Sequence, residues 1–207
     1  MNRVELPVTH FSQRDNELKP MVSCFPTSVA MMIDYLLQSK GKAKEDINCP
    51  GDTQLEDWIN YQLQSAQTKQ WMKRSKLGNW IWKFNPREIY HVEAYMFNTL
   101  MIEHGYRARH KAISFAQYCE QIQKAIPVVM GGNFKSTSRI GGHVVCGTGY
   151  INNPDKIIVN DPFGDAKKGY PKGQDLKLND EAGRATIYSL AYFKNGKNIN
   201  SIYVEKI

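Results

Sequence analysis

The chain has no long apolar run. Its longest, residues 29–33 and 127–130, fall far short of the ~20 residues that a membrane-spanning helix needs. Residues 1–17 carry Arg3, Glu5, Arg14, Asp15 and Glu17 and lack the apolar core of a secretory signal. We therefore expect a protein made in the cytosol, with release by lysis or by a non-standard route left open. No Cys-x-x-Cys pair occurs, which argues against ribbon-type zinc sites and thioredoxin chemistry. No His-Glu-x-x-His occurs, so the zinc-peptidase signature is missing. No metal or cofactor is expected. Without an export signal, Cys24, Cys49, Cys119 and Cys146 read as thiols rather than disulfides. Internal repeats and low-complexity tracts are also absent.

What remains is an ordinary globular composition. The 207 residues are 42% hydrophobic and 23% charged, which excludes wholesale disorder. A chain of this length buries a sizeable core without covalent staples. Lys plus Arg is 27 against 20 for Asp plus Glu, a formal net charge of +7. That balance favours acidic partners and says nothing about fold.

The first half reads as helices. Pro26 suits a first helical turn, and Val29, Met32, Ile33, Leu36 and Leu37 form one apolar stripe that Gly41 would stop. Thr53 with Glu56 fits a capping box ahead of a second helix running towards Trp71. Asn85, Pro86 and Glu88 would open a third, ending before Gly105. Ser114 with Gln117 would cap a fourth, ending before Pro127. The grammar then changes to strands, at 128–130, 143–151, 156–160, 185–193 and 201–205. Helices first and strands later is the α+β pattern. We expect one domain over residues 1–207, helical over about 20–125 and β over about 126–207.

Only one cysteine suits nucleophilic chemistry. A helix N-terminus lowers a thiol's pKa and leaves it accessible. Cys24 lies two residues before Pro26, at the mouth of the first helix. Cys49 precedes Pro50 in a loop, Cys119 falls inside the fourth helix, and Cys146 inside a strand. Standing alone, Cys24 would as readily be a small buried hydrophobe. His143 opens a strand just after Gly141-Gly142, where glycines permit close approach of another chain. A lone strand histidine is more often structural than catalytic. A hairpin pairing Tyr150 with Lys156 would set His143 opposite Phe163, and would bring Asp161 diagonally beside it on the same face. A carboxylate there could hold the imidazole tautomer. Asn160 would take that part only if the register slipped. Asp161-Pro-Phe-Gly is also a good turn in its own right, and both roles can hold together. Cys146 would face away from His143, which argues against a shared metal site.

These pieces form a recognisable series. Ser12-Gln13-Arg14-Asp15-Asn16, Cys24-Phe25-Pro26-Thr27-Ser28, Ile126-Pro127-Val128-Val129, Gly141-Gly142-His143-Val144-Val145 and Val159-Asn160-Asp161-Pro162 run in order over about residues 10–165. In that order the chain resembles the double-glycine leader peptidase-like family of the papain-like cysteine peptidase superfamily. The resemblance implies a papain-like fold, with Cys24 as nucleophile, His143 as general base and acid, and Asp161 as its orienting partner. It also implies Gln13 as side-chain donor of an oxyanion hole, a group worth on the order of 3 kcal/mol. Read from the sequence alone, Gln13 is an ordinary exposed glutamine. Two departures stand out. Phe25 replaces the usual glycine after the nucleophile, so a bulky side chain either reshapes the leaving-group side or packs under the helix. The segment from Asn16 to Pro20 looks like a small insertion. Nothing here resembles a transporter, so leader processing is not implied.

From Trp58 to Arg87 there is no acidic residue, while Lys69, Lys73, Arg74, Lys76, Lys83 and Arg87 interleave with all four tryptophans. Such a stretch could meet an anionic polymer. A core-packed helical insert with a solvated cationic face explains it more simply, and nucleic acid is not the expected partner. Lys167, Lys168 and Lys172 follow Asp161 and read as a solvated loop at the edge of the site. Three functions remain. The first is a cysteine peptidase or amidase cutting a peptide or protein, with a cell-wall peptide suited to the basic surface. The second is an acyl transferase on the same fold. The third is a non-catalytic module that binds an anionic polymer through residues 58–87.

Overall fold

A computed structural model describes residues 2–18, 20–65, 89–134, 142–152, 155–168, 170, 181–195 and 198–207. Helix α1 (Cys24–Gln38) is the central pillar. Its stripe of Val29, Met32, Ile33, Leu36 and Leu37 is fully enclosed, and Phe25, Ala30 and Met31 are buried beside it. Each large apolar side chain so enclosed contributes roughly 1.5–3 kcal/mol. Phe25 thus packs into the core under the helix. Gly41 takes a left-handed φ of +67° just past the helix end.

Helix α2 (Leu55–Gln64) packs on α1. Its N-cap is Gln54 rather than Thr53, and no side chain caps it; the Thr53 hydroxyl turns instead to Asp52. The helix ends at Gln64, well short of Trp71. The expected third-helix cap at Asn85–Glu88 lies outside the described residues. Helix α3 (Ile89–Met101) is followed by a 3-10 turn that stops at Gly105 with a φ of +80°. Helix α4 (Phe115–Gln123) carries the capping box of Ser114 and Gln117.

The strands are β1 (Arg3–Glu5), β2 (Tyr106–Ile113), β3 (Val128–Gly132), β4 (His143–Ile151), β5 (Lys156–Asn160), β6 (Thr186–Ser189), β7 (Lys194–Asn195) and β8 (Asn198–Lys206). All pairings are antiparallel, in the order β2-β8-β3-β4-β5-β6, with β1 on β4 and β7 on β8. The architecture is α+β with its sheet mainly in the C-terminal half. Strands β1 and β2 break the expectation of helices first. In β2, three cationic residues and a histidine share eight positions, yet Tyr106 and Ala108 alternate inward against β8. Helix α1 covers the sheet face that carries Val144 and Cys146. Tyr118 of α4 packs on the other, with Val145 and Val159.

The β4–β5 ladder positions the site. At its turn end Ile151 faces Lys156 and Gly149 faces Ile158, one residue off the expected register. A bulge at Thr148 then inserts one residue, after which Gly147 faces Val159 and Cys146 faces Asn160. The slip is cancelled at the far end. Asp161 comes into step with Val145, on the face of His143; without the bulge it would fall in step with Cys146, on the opposite face. Leu6 donates its backbone N–H to the Thr148 carbonyl, so the irregular stretch is satisfied.

Gly149 beside the bulge lets β1 approach. A Cβ there would stand 2.3 Å from the Val4 carbonyl oxygen. Gly149→Ala should lower unfolding free energy by about 1–3 kcal/mol in urea denaturation. Gly142→Ala, where a Cβ meets no described atom within 4 Å, should cost under about 0.5 kcal/mol. Equal effects of the two would mean that close strand packing at β1 does not limit this edge.

Candidate active site

Cys24 is the first residue of α1, half-buried, and follows the N-cap Ser23. His143 is the first residue of β4 and is almost fully buried. Both side chains sit at the ends of their elements, where the helix mouth meets the start of the strand, and the thiol lies close enough to the imidazole to raise its proton affinity. Ser28, one helical turn beyond Cys24, ties the two elements together. Its hydroxyl donates to the Cys24 carbonyl at 2.7 Å and stands 3.2 Å from the carbonyl of Val144. Nothing in the sequence singled out this serine.

Asp161 completes the cluster. Its Oδ1 accepts from His143 Nε2 at 2.7 Å, which leaves Nδ1 as the ring nitrogen for the thiol. The same oxygen accepts the Phe163 backbone N–H at 3.0 Å, so Asp161 is also the turn residue that its sequence context implies. Oδ2 accepts two phenolic hydroxyls, Tyr170 at 2.9 Å and Tyr188 at 2.8 Å. The residue is 0% exposed. Its backbone is held as firmly, with the N–H on the Gly183 carbonyl and the carbonyl accepting from His10 Nε2 at 3.0 Å. A Cβ on Gly183 would stand 1.8 Å from the Asp161 carbonyl oxygen, so only glycine fits there. Sequence reasoning missed His10, Tyr170, Tyr188 and Gly183, because each reaches Asp161 from a segment without a local motif.

Electrostatics follow from this enclosure. Burial by itself pulls the His143 imidazolium down; the Asp161 carboxylate, by charge and hydrogen bond, and then Cys24 outweigh it and raise the group to about 10. Burial drives the Tyr170 and Tyr188 hydroxyls well above their ordinary range, with Asp161 reinforcing it, so both remain donors. Phe134 and Tyr170 meet the imidazole edge-on at 5.4 Å, and Phe163 at 6.4 Å, walling it from water. The other three thiols are pushed up chiefly by burial, Cys119 to about 11. All four cysteines are free.

Asn160 takes no part in the cluster. Its side chain donates to the Val8 carbonyl at 2.9 Å and accepts the Ala185 N–H at 3.0 Å, clamping the N-terminal segment to the sheet. Gln13 opens a 3-10 turn (Gln13–Asp15), and its backbone N–H donates to Pro162, beside Asp161. It is buried rather than exposed. Its side-chain Nε2 donates to the Pro20 carbonyl at 2.6 Å, while Oε1 is buried without a hydrogen-bond partner. The segment with Asn16 and Pro20 therefore folds onto Gln13. Lys167 and Lys168 are exposed, with the Lys167 ammonium 5.8 Å from the centre of the Tyr188 ring at the edge of the cluster. Lys172 and all the basic and aromatic residues from Lys69 to Arg87 lie outside the described residues. Among the described residues no group of His, Cys, Asp and Glu could hold a metal ion, and no helix is long and apolar enough to cross a membrane.

Comparison with known proteins bears on the fold and the family. The chain shares its fold with two solved structures. One is a putative C39-like peptidase from Bacillus anthracis, 17% identical, with a TM-score of 0.50 over 100% of both chains. The other is UfSP from C. elegans, 14% identical, with a TM-score of 0.50 over 100% of this chain and 34% of that one. The chain thus spans about a third of the UfSP chain it matches, at 34%. None of the curated proteins matches. A family model, that of the Peptidase_C39 like family, matches residues 5–186, a span that contains Gln13, Cys24, His143 and Asp161. The chain therefore belongs to the Peptidase_C39-like family, within the papain-like cysteine peptidase superfamily.

Proposed function

We propose that this chain is a cysteine peptidase or amidase, a single papain-like domain, that cleaves a peptide or isopeptide bond through Cys24, His143 and Asp161. The observation that carries the reading is the 2.7 Å bond from His143 to a fully enclosed Asp161, with Cys24 at the helix mouth close enough to act on the same imidazole. A proton held on His143 gives the imidazolium–thiolate pair that cysteine acyl transfer uses. The Cys24 sulfur adds to the carbonyl carbon. The Cys24 backbone N–H and the second amide hydrogen of Gln13 are the donors for the developing oxyanion. His143 gives its Nδ1 proton to the leaving amine, and a thioester remains on Cys24. Water, losing a proton to His143, then cleaves the thioester and restores thiolate and imidazolium.

The net charge of +7 suits an anionic surroundings for the substrate, and a bacterial or phage cell-wall peptide is the class we favour. The resemblance to double-glycine leader peptidases enters this proposal for its catalytic chemistry alone, and leader processing is no part of it. Passage of the acyl group to an amine instead of water would leave the same residues in the same roles. Mass analysis of products formed from peptide and cell-wall fragments separates the two.

Cys24→Ala and His143→Ala should each remove turnover while leaving the circular dichroism spectrum intact. Asp161→Asn should retain a residue of activity, reduced by about 10³–10⁴-fold. An active Cys24→Ala variant would end the peptidase reading. Iodoacetamide should alkylate Cys24 ahead of Cys49, Cys119 and Cys146 near pH 6, as followed by peptide mapping; uniform labelling would contradict thiolate activation.

The raised His143 group also sets a pH dependence. Its folded value, about 10, lies above the ordinary 6.5, so its pairing stabilises the fold fully below pH 6.5 and is lost as pH rises through about 10. Thermal midpoints of the wild type should fall across that window more steeply than those of His143→Gln. The rate should show an alkaline limb near the same upper value. Identical slopes would mean that the imidazole is not charged in the folded protein.

A further inference from the structure

The imidazole–carboxylate pair has a second layer of control. A carboxylate turns about its Cβ–Cγ bond unless both oxygens are held. Oδ1 is fixed by His143 and the Phe163 N–H. Oδ2 rests on the two phenols, and they differ in kind. Tyr188 belongs to strand β6 and its ring is fully buried in the core. Tyr170 comes from the segment after the Asp161 turn and is only partly buried. Its ring does more than carry the hydroxyl, meeting His143 at 5.4 Å and Phe163 at 5.0 Å. One side chain thus touches both members of the pair.

We propose that Tyr170 is a positioning residue of this site: its hydroxyl locks the Asp161 carboxylate in plane while its ring backs the His143 imidazole, and together they keep Nδ1 aimed at Cys24. The inference rests on the reading of Cys24, His143 and Asp161 as the reacting set. Tyr188 acts as the rigid half of the clamp, supplied by the sheet. Tyr170 is the half supplied from outside the sheet, so the alignment of the site depends on a residue outside every motif. Its hydroxyl stays a donor, since burial and the neighbouring carboxylate oppose its ionisation.

Tyr170→Phe keeps the ring and removes the hydroxyl. Against a cleaved peptide substrate, kcat should fall by about 10-fold, the scale of one hydrogen bond to a charged group. KM should stay within about twofold, because the phenol does not hold substrate. Two readouts need no substrate. The His143 ring N–H resonance, followed by proton NMR, should titrate with a displaced midpoint, and Cys24 should react more slowly with iodoacetamide. Unchanged kcat, midpoint and alkylation rate in the folded variant would overturn the proposal. Loss of the folded circular dichroism spectrum would assign Tyr170 to the fold and overturn it as well. If the wild type cleaves nothing, the peptidase reading fails by itself, and the titration and alkylation still decide whether Tyr170 positions the pair.

Discussion

A single buried carboxylate organises this molecule. Leaving an ionised carboxylate in an apolar interior without partners is prohibitively costly. Asp161 is fully enclosed, and each of its two oxygens accepts two hydrogen bonds. Those donors come from a strand start, a turn, a following segment and a neighbouring strand. Satisfying the charge therefore ties four parts of the chain to one point. The arrangement also explains why a histidine as buried as His143 carries a raised rather than a depressed affinity for protons: the carboxylate outweighs the loss of water.

The sheet reaches that point by an irregular route. The β4–β5 turn begins one residue out of the register that would serve the site, and the Thr148 bulge restores it. Side chains alternate faces with a period of two, so one inserted residue decides whether Asp161 meets His143 or faces away. Gly147 and Gly149 flank the bulge, where Met130, Tyr118 and β1 crowd the backbone. Ser28 provides the matching link on the helix side, from the Cys24 carbonyl to the β4 backbone. Both devices are packing features, and both act on the geometry of the site.

Fold and chemistry rest on different grounds. The likenesses to solved structures, at 14% and 17% identity, establish the architecture. The roles proposed for individual residues rest on contacts within this chain. Of the two departures from the family pattern, Phe25 joins the core, and the segment around Pro20 takes one amide hydrogen of Gln13, leaving the other for the oxyanion role proposed for it.

Much of this was legible in the residues. The stripe of α1, the Ser114–Gln117 box, the extents of β4 and β5, and the placement of Cys24 at a helix mouth all follow from local rules, because each depends on neighbours within a few positions. Where local chemistry was weaker the reading failed, as at Thr53, whose hydroxyl found Asp52 instead of a helix, and at β2, whose three cations masked its alternation. The approach of Tyr170, Tyr188, His10 and Gly183 to Asp161 was settled only by tertiary structure. Contacts between segments far apart in the chain carry no periodicity; they exist because a desolvated charge must be surrounded by whatever donors the folded chain brings within reach.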